Sequence, residues 1–354
     1  MFRCIKSLTA AFVLGGIMIS SPVLAAEKAA SLPFMGSYVE EHPVVSTVWK
    51  PFFKAAEEKF TGKIEFSYHS ENSLYSGRAE GIQGVVDGRV AFGCVRPSLH
   101  PEDFRLLGVI SIPGLVPDAI VGSLVLEDLI AKFPAMRDEL PRDSEPFVAW
   151  TSAASQINTV KPVEKLADLK GLKIAVWDSV SHATVREFGA VPILVSPADT
   201  YWTLQRGMAD GVLCPLAPLK AYRLAELVKH HFMLDTMVQG FVIAASHKYW
   251  EPMPASMKKW FKAEGGSKMS LALGRSLEQS VDAVTADMQA AGHTFRTLPE
   301  TDKAEFQCMR YVIMGRWKEY CRDMDADLVD SVLAFARERA RFHTEAQKAG
   351  KYGN

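Results

Sequence analysis

Strand-like and helix-like segments alternate along nearly the whole chain, and no Pro/Gly/Ser-rich linker interrupts them. That alternation constrains the fold more than any single motif, because strands carry a two-residue period and helices a 3.6-residue one, and the two in turn build α/β layers. Residues 43–60 place Val45, Val48, Trp49, Phe52, Phe53, Ala56 and Phe60 on a helical stripe that closes at Thr61-Gly62. Residues 64–68 then alternate as a strand, 78–86 read as a short helix ending at Asp87-Gly88, and 90–95 as a buried strand. Strands are expected at 148–152 and 172–177, helices at 181–188 and 198–206, and a turn at Asp210-Gly211 leading into Val212-Leu213. From 254 to 291 the pattern is one long helix, dented at Gly265-Gly266, followed by helices at 300–321 and 324–345. With no linker, the chain is expected to cross between domains more than once.

The first residues stand apart. Arg3 and Lys6 form a positive start, residues 10–19 a short apolar core, and 21–26 a small-residue cleavage site. The apolar run is shorter than the roughly 20 residues of a membrane span. It predicts a cleaved signal peptide over residues 1–26 and an exported, soluble, monomeric product in the periplasm. No Cys sits at the cleavage point, so a lipid-anchored product is not expected. The remaining chain of about 328 residues suits two domains.

Removing the signal shifts the formal net charge from −1 to about −3. The 40 basic and 41 acidic residues are dispersed. Such a balance excludes the basic face that a nucleic-acid partner requires. Cys94, Cys214, Cys308 and Cys321 show no metal spacing and are too few for a disulfide-built scaffold. Cys308 and Cys321 can pair only if the chain bends between them, since one continuous helix would hold them roughly 20 Å apart. No GxSxG, HExxH, P-loop or GxGxxG motif stands in a suitable context, so neither a catalytic set nor a cofactor or metal site is predicted. His230-His231 reads as a helix end. The chain reads as a binder before it reads as an enzyme.

The stretches "DLKGLKIAVW" from Asp168 and "FGAVPILVSPADTYWTLQRGMADGV" from Phe188 resemble the signature region of DctP-type (family 7) extracellular solute-binding proteins, the receptors of tripartite ATP-independent periplasmic (TRAP) transporters. "EEHPVVSTVWKPFFKAAEEKFTGKIEF", "GIQGVVDGRVAFG" and "IPGLV" resemble the front half of the same family. The resemblance implies a two-domain α/β binding-protein fold with mixed sheets flanked by helices, a cleft between the domains, and a long helix spanning both. Residues 27–152 with 240–282 would form one domain, and 153–239 with 283–354 the other. It further implies capture of a small organic solute by hinge closure, and small and large membrane permease subunits as partners. The rival readings are a binding module feeding a receptor kinase and a periplasmic enzyme on the same scaffold.

Relatives usually carry an arginine for the substrate carboxylate where this strand has Ala175. A second family arginine falls near Ala154 or Ser155, and a common asparagine aligns with Cys214. A guanidinium suits a carboxylate because it donates two parallel hydrogen bonds. Its loss points to an atypical solute, with Ala175 and Cys214 opening space and Trp177 offering a stacking face. Candidate readers sit at strand ends. Arg96 is the substitute cation, Glu41 (or Glu40) would read an amine or hydroxyl, and Asn72 and Ser73 follow the second strand. Ser152 lies on the crossing strand beside Trp150, itself better explained as core. Tyr201 and Phe241 complete the expected set.

Overall fold

The structure, a computed structural model, describes residues 29–70, 73 and 80–353. Its strands are β1 (Ala30–Met35), β2 (Ile64–His69), β3 (Phe92–Val95), β4 (Ser144–Thr151), β5 (Gln156–Thr159), β6 (Lys173–Val176), β7 (Val191–Leu194), β8 (Gly211–Cys214), β9 (His230–Met233), β10 (Gly240–Ser246) and β11 (Thr294–Thr297). They form two mixed sheets, ordered β2-β1-β3-β10-β4 and β11-β9-β5-β8-β6-β7. In the first, β1 runs parallel to β2 and β3, while β10 is antiparallel to β3 and β4. This is the expected α/β fold, and each sheet is the centre of one lobe.

Strand alternation distributes the side chains between the layers. On β10, Val242 and Ala244 enter one core of the first lobe, while Phe241, Ile243 and Ala245 enter the other. On β6, Ile174 and Val176 face one side of the second sheet, and Ala175 faces the other with Val212 and Leu204. Both faces of each sheet are covered, which explains why many strands read as continuous apolar runs.

The chain crosses between lobes at 152–155 and 236–239, and these two segments bond to each other. Ser152 N–H donates to Gln239 O (2.9 Å), Ser155 N–H to Met237 O (2.9 Å), and Thr236 N–H to Ser155 O (3.0 Å). A third connection is the helix Gly266–Ala290. Its Met269, Leu273 and Leu277 pack in the first lobe, and its Val284 and Met288 in the second. The dent expected at Gly265-Gly266 is a full break that separates this helix from Ala255–Glu264. A Cβ on Gly265 would lie 2.7 Å from the Phe147 ring, and Gly266 adopts φ +53°, so both positions require glycine.

The helix Lys303–Tyr320 carries Phe306 into the second-lobe core and Trp317 into the first. The last helix, Ala326–Lys348, packs Val332, Leu333 and Ala336 against Val121, Val125 and Leu129 of the first lobe. Its packing thus differs from the expected grouping of 283–354 with the second lobe, because its apolar face matches the helix Ala119–Lys132. All four described cysteines are free, and the continuous helix after Cys308 holds it away from the buried Cys321. His230-His231 is not a helix end but the start of β9. There His231 can be buried because Asn158 and His293 satisfy its ring nitrogens, at 2.8 and 2.9 Å. No described helix is long and apolar enough to cross a membrane.

Candidate functional site

A cavity of about 70 Å³ lies where the lobes meet, several times the roughly 10–15 Å³ that one water requires. Ser37, Tyr38, His42, Arg96 and Phe241 come from the first lobe, and Ser152 and Gln239 from the crossing segments. Trp177, Pro215 and Tyr222 come from the second lobe. Strand ends and the turns after them supply nearly all of these groups, as α/β folds do at ligand sites.

Its walls are mostly aromatic. Phe241 stacks on buried Trp150 (centroids 5.1 Å apart, planes at 12°), and Tyr38 lies 6.0 Å from Phe241. Across the cavity, Trp177 and Tyr222 meet edge to face at 5.9 Å. The indole N–H of Trp177 donates to Thr200 Oγ1 (2.8 Å), so this side chain offers the cavity only its ring.

The polar groups are mainly donors. Arg96 follows β3 and places its guanidinium 5.8 Å from the Phe241 centroid. Tyr38 Oη accepts from Trp150 Nε1 (3.2 Å) and keeps its own proton, since burial pushes its pKa well above the ordinary phenol value. His42 is 4% exposed and burial pushes its pKa down to about 4, so it is neutral at pH 7. On the second lobe, Asp178 caps the helix Ser179–Glu187 by accepting from Ser181 N–H (2.8 Å) and Ser181 Oγ (2.7 Å). Gln239 Nε2 also donates to Asp178, which ties the crossing segment to that helix. Complete burial raises the Asp178 pKa, opposed by these hydrogen bonds and by the nearby Arg96 charge.

Of the expected residues, Arg96, Ser152, Trp177 and Phe241 line this cavity. The Ser152 hydroxyl, however, is committed to the backbone: it donates to Ala153 O (2.8 Å) and accepts from Gln239 N–H (3.0 Å). Ala175 and Cys214 are not at the cavity. They are 0% and 1% exposed within one core cluster, where Leu204 and Val212 fill the room they were expected to open. Tyr201 turns outward, donating to Glu226 (3.2 Å) with Arg223 over its ring. Glu41 is exposed, as is Glu40, which pairs with Lys50 (2.8 Å). Neither carboxylate lines the cavity. Ser73 is exposed, and Asn72 lies outside the described residues.

Sequence reasoning missed Tyr38, His42, Tyr222 and Gln239. "SYVEEHP" did carry a signal, in an aromatic and a histidine four residues apart just before a helix, but its two glutamates drew the reading. Among the described residues, one group of three potential metal ligands comes together, His100, Glu102 and Asp103, with both acids exposed and all three outside the cavity.

Residues 35–317 match the family model of the bacterial extracellular solute-binding protein, family 7. The C4-dicarboxylate-binding periplasmic protein DctP of Rhodobacter capsulatus is 21% identical over 264 residues, 72% of this chain and 77% of that protein. A TRAP solute-binding protein from Rhodoferax ferrireducens, solved with copurified benzoate, superposes with a TM-score of 0.83 at 20% identity. The match covers 90% of this chain and all of the other. One from Bordetella bronchiseptica, with bound (R)- and (S)-mandelate, gives 0.79 at 18% identity, covering 88% and 99%. Family and fold alike are those of substrate-binding proteins rather than of enzymes. The chain belongs to the DctP-type, family 7 extracellular solute-binding proteins of TRAP transporters.

Proposed function

We propose that this chain is exported by its N-terminal signal and works in the periplasm as the receptor of a TRAP transporter. It captures a small carboxylic acid with a flat apolar body and delivers it to the membrane permease subunits. One observation carries the reading: the Arg96 guanidinium lies against a ring-walled cavity to which both lobes contribute. The carboxylate is held by Arg96, which takes over the role of the arginine missing at Ala175 from a different strand end. The body lies between the Tyr38–Phe241 wall and the Trp177–Tyr222 wall, where ring faces reward planar apolar groups. Hinge bending at the crossing segments brings the walls together, so the solute completes an interface that neither lobe makes alone. Relatives solved with benzoate and mandelate support this class of solute.

Thermal-shift and calorimetric titration with benzoate, mandelate, succinate, fumarate and glucuronate test the reading. A ligand at 100 times its Kd adds about 2.7 kcal/mol of stability. Aromatic monocarboxylates are expected to give the largest shifts, and a larger response to C4-dicarboxylates would overturn the proposed class.

A further inference from the structure

Among the buried polar atoms at the cavity, His42 Nε2 and Ser37 Oγ have no hydrogen-bond partner among the described residues. The tautomer of His42 follows from its other nitrogen. Val44 N–H can only donate, and it donates to Nδ1 at 3.2 Å, so the neutral ring carries its proton on Nε2. His42 is thus a fixed N–H donor. Its ring is held by stacking on Tyr38 (4.2 Å between centroids, planes at 21°). Burying such a donor unpaired is unfavourable, and native proteins rarely do so unless a ligand or water completes the bond.

The contacts form a row. Arg96 sits 5.8 Å from Phe241, Phe241 is 6.0 Å from Tyr38, and Tyr38 stacks on His42. Arg96 and His42 therefore touch different rings of one aromatic wall, Phe241 and Tyr38, and Ser37 directly precedes Tyr38 in the chain. We propose that His42 and Ser37 form a second polar pole, and that the solute carries, besides its carboxylate, an acceptor oxygen that takes the His42 Nε2 proton. A ring hydroxyl fits best, because it accepts from His42 while donating to Ser37 Oγ. This rests on the carboxylate reading above, and it makes His42 a specificity-determining residue.

The test compares matched pairs by calorimetry: benzoate against its 2-, 3- and 4-hydroxy derivatives, and succinate against malate. The wild-type protein is expected to favour at least one hydroxylated member about tenfold, the value of one well-placed hydrogen bond. His42→Phe keeps a ring to stack on Tyr38 and removes the donor. It is expected to erase that preference, read as the ratio of the two affinities. His42→Gln, which restores an N–H donor, is expected to recover part of it, which separates a lost donor from a damaged fold. A preference for malate with no aromatic binding would remove the aromatic body and leave the pole standing. No hydroxyl preference in any pair, or one unchanged in His42→Phe, overturns the pole even if benzoate binds.

Discussion

Two hollows among the described residues differ in what matters for binding. The inter-lobe cavity holds about 70 Å³, whereas a groove between the terminal helices and the 112–117 turn holds about 1240 Å³. The groove is richly cationic: Lys303, Arg310, Arg337, Arg341 and Lys348 line it, against Asp235 and Glu345. Most of these side chains stand in water, where charges are screened by solvent and salt. Arg310, the more buried one, donates to Pro113 O (3.0 Å) and to Gln307 (3.2 Å). The small cavity has one cation, several rings and a few oriented donors, most of them shielded from water. Capacity to desolvate a solute, rather than volume or net charge, separates a binding site from a hollow.

Arg96→Ala is the largest test of this contrast. Loss of a shielded, charge-assisted hydrogen bond is expected to weaken binding of the cognate acid about 100-fold by titration calorimetry. Arg337→Ala, which removes the same charge from the groove, is expected to leave affinity within about twofold. Equal losses would show that long-range charge, and not the enclosed site, drives capture.

Tyr222→Ala comes next. It removes one ring from the second-lobe wall, and affinity for an aromatic acid is expected to fall about tenfold, with little change for an aliphatic acid of equal charge. A uniform loss for both would assign Tyr222 to lobe closure instead.

The pH dependence of stability probes the enclosure itself. The folded pKa of His42 is depressed to about 4 from 6.5, so the unfolded chain binds more protons between those values. Its contribution to stability is complete above about pH 6.5 and is lost as pH falls toward 4, on the order of 3 kcal/mol. Glu127, Glu139 and Glu278 are each pushed up to about 7 by burial and act in the opposite sense over much of this range. The measurement is therefore the difference between wild type and His42→Phe in urea-melt stability at pH 4, 5.5 and 7. A constant difference would mean that water reaches the histidine. The smallest expected effect is that of salt. Raising it from 0.05 to 0.5 M should change cavity affinity less than about threefold, because buried pairs are weakly screened.

Much of the architecture was legible because period and punctuation agree. β2, β3, β6 and the helix Lys50–Lys59 were announced by apolar spacing or by glycine, whereas the break at Gly265 was read only as a dent in one long helix. The helix Ala119–Lys132 was not announced, since it is buried on nearly every side and its apolar residues show little periodicity. β9 was misjudged because "HHFM" looks polar until His231 finds Asn158 and His293, partners 73 and 62 residues away. The site behaved similarly. Arg96, Trp177 and Phe241 sit at strand ends and were visible from local pattern. Tyr38, His42, Tyr222 and Gln239 gain their meaning only when the fold brings distant turns together. The position whose missing arginine drew most notice, Ala175, proves to be sheet packing.

The two crossing segments are laced to each other at 152–155 and 236–239. A paired ribbon resists shear in its own plane and flexes across it, so the closure proposed above would bend it about one line, like a door on a leaf hinge rather than a ball in a socket. One coordinate of motion means one barrier. Capture and release followed through tryptophan fluorescence should each be single-exponential, and the time a solute stays bound is then set by how often the ribbon straightens.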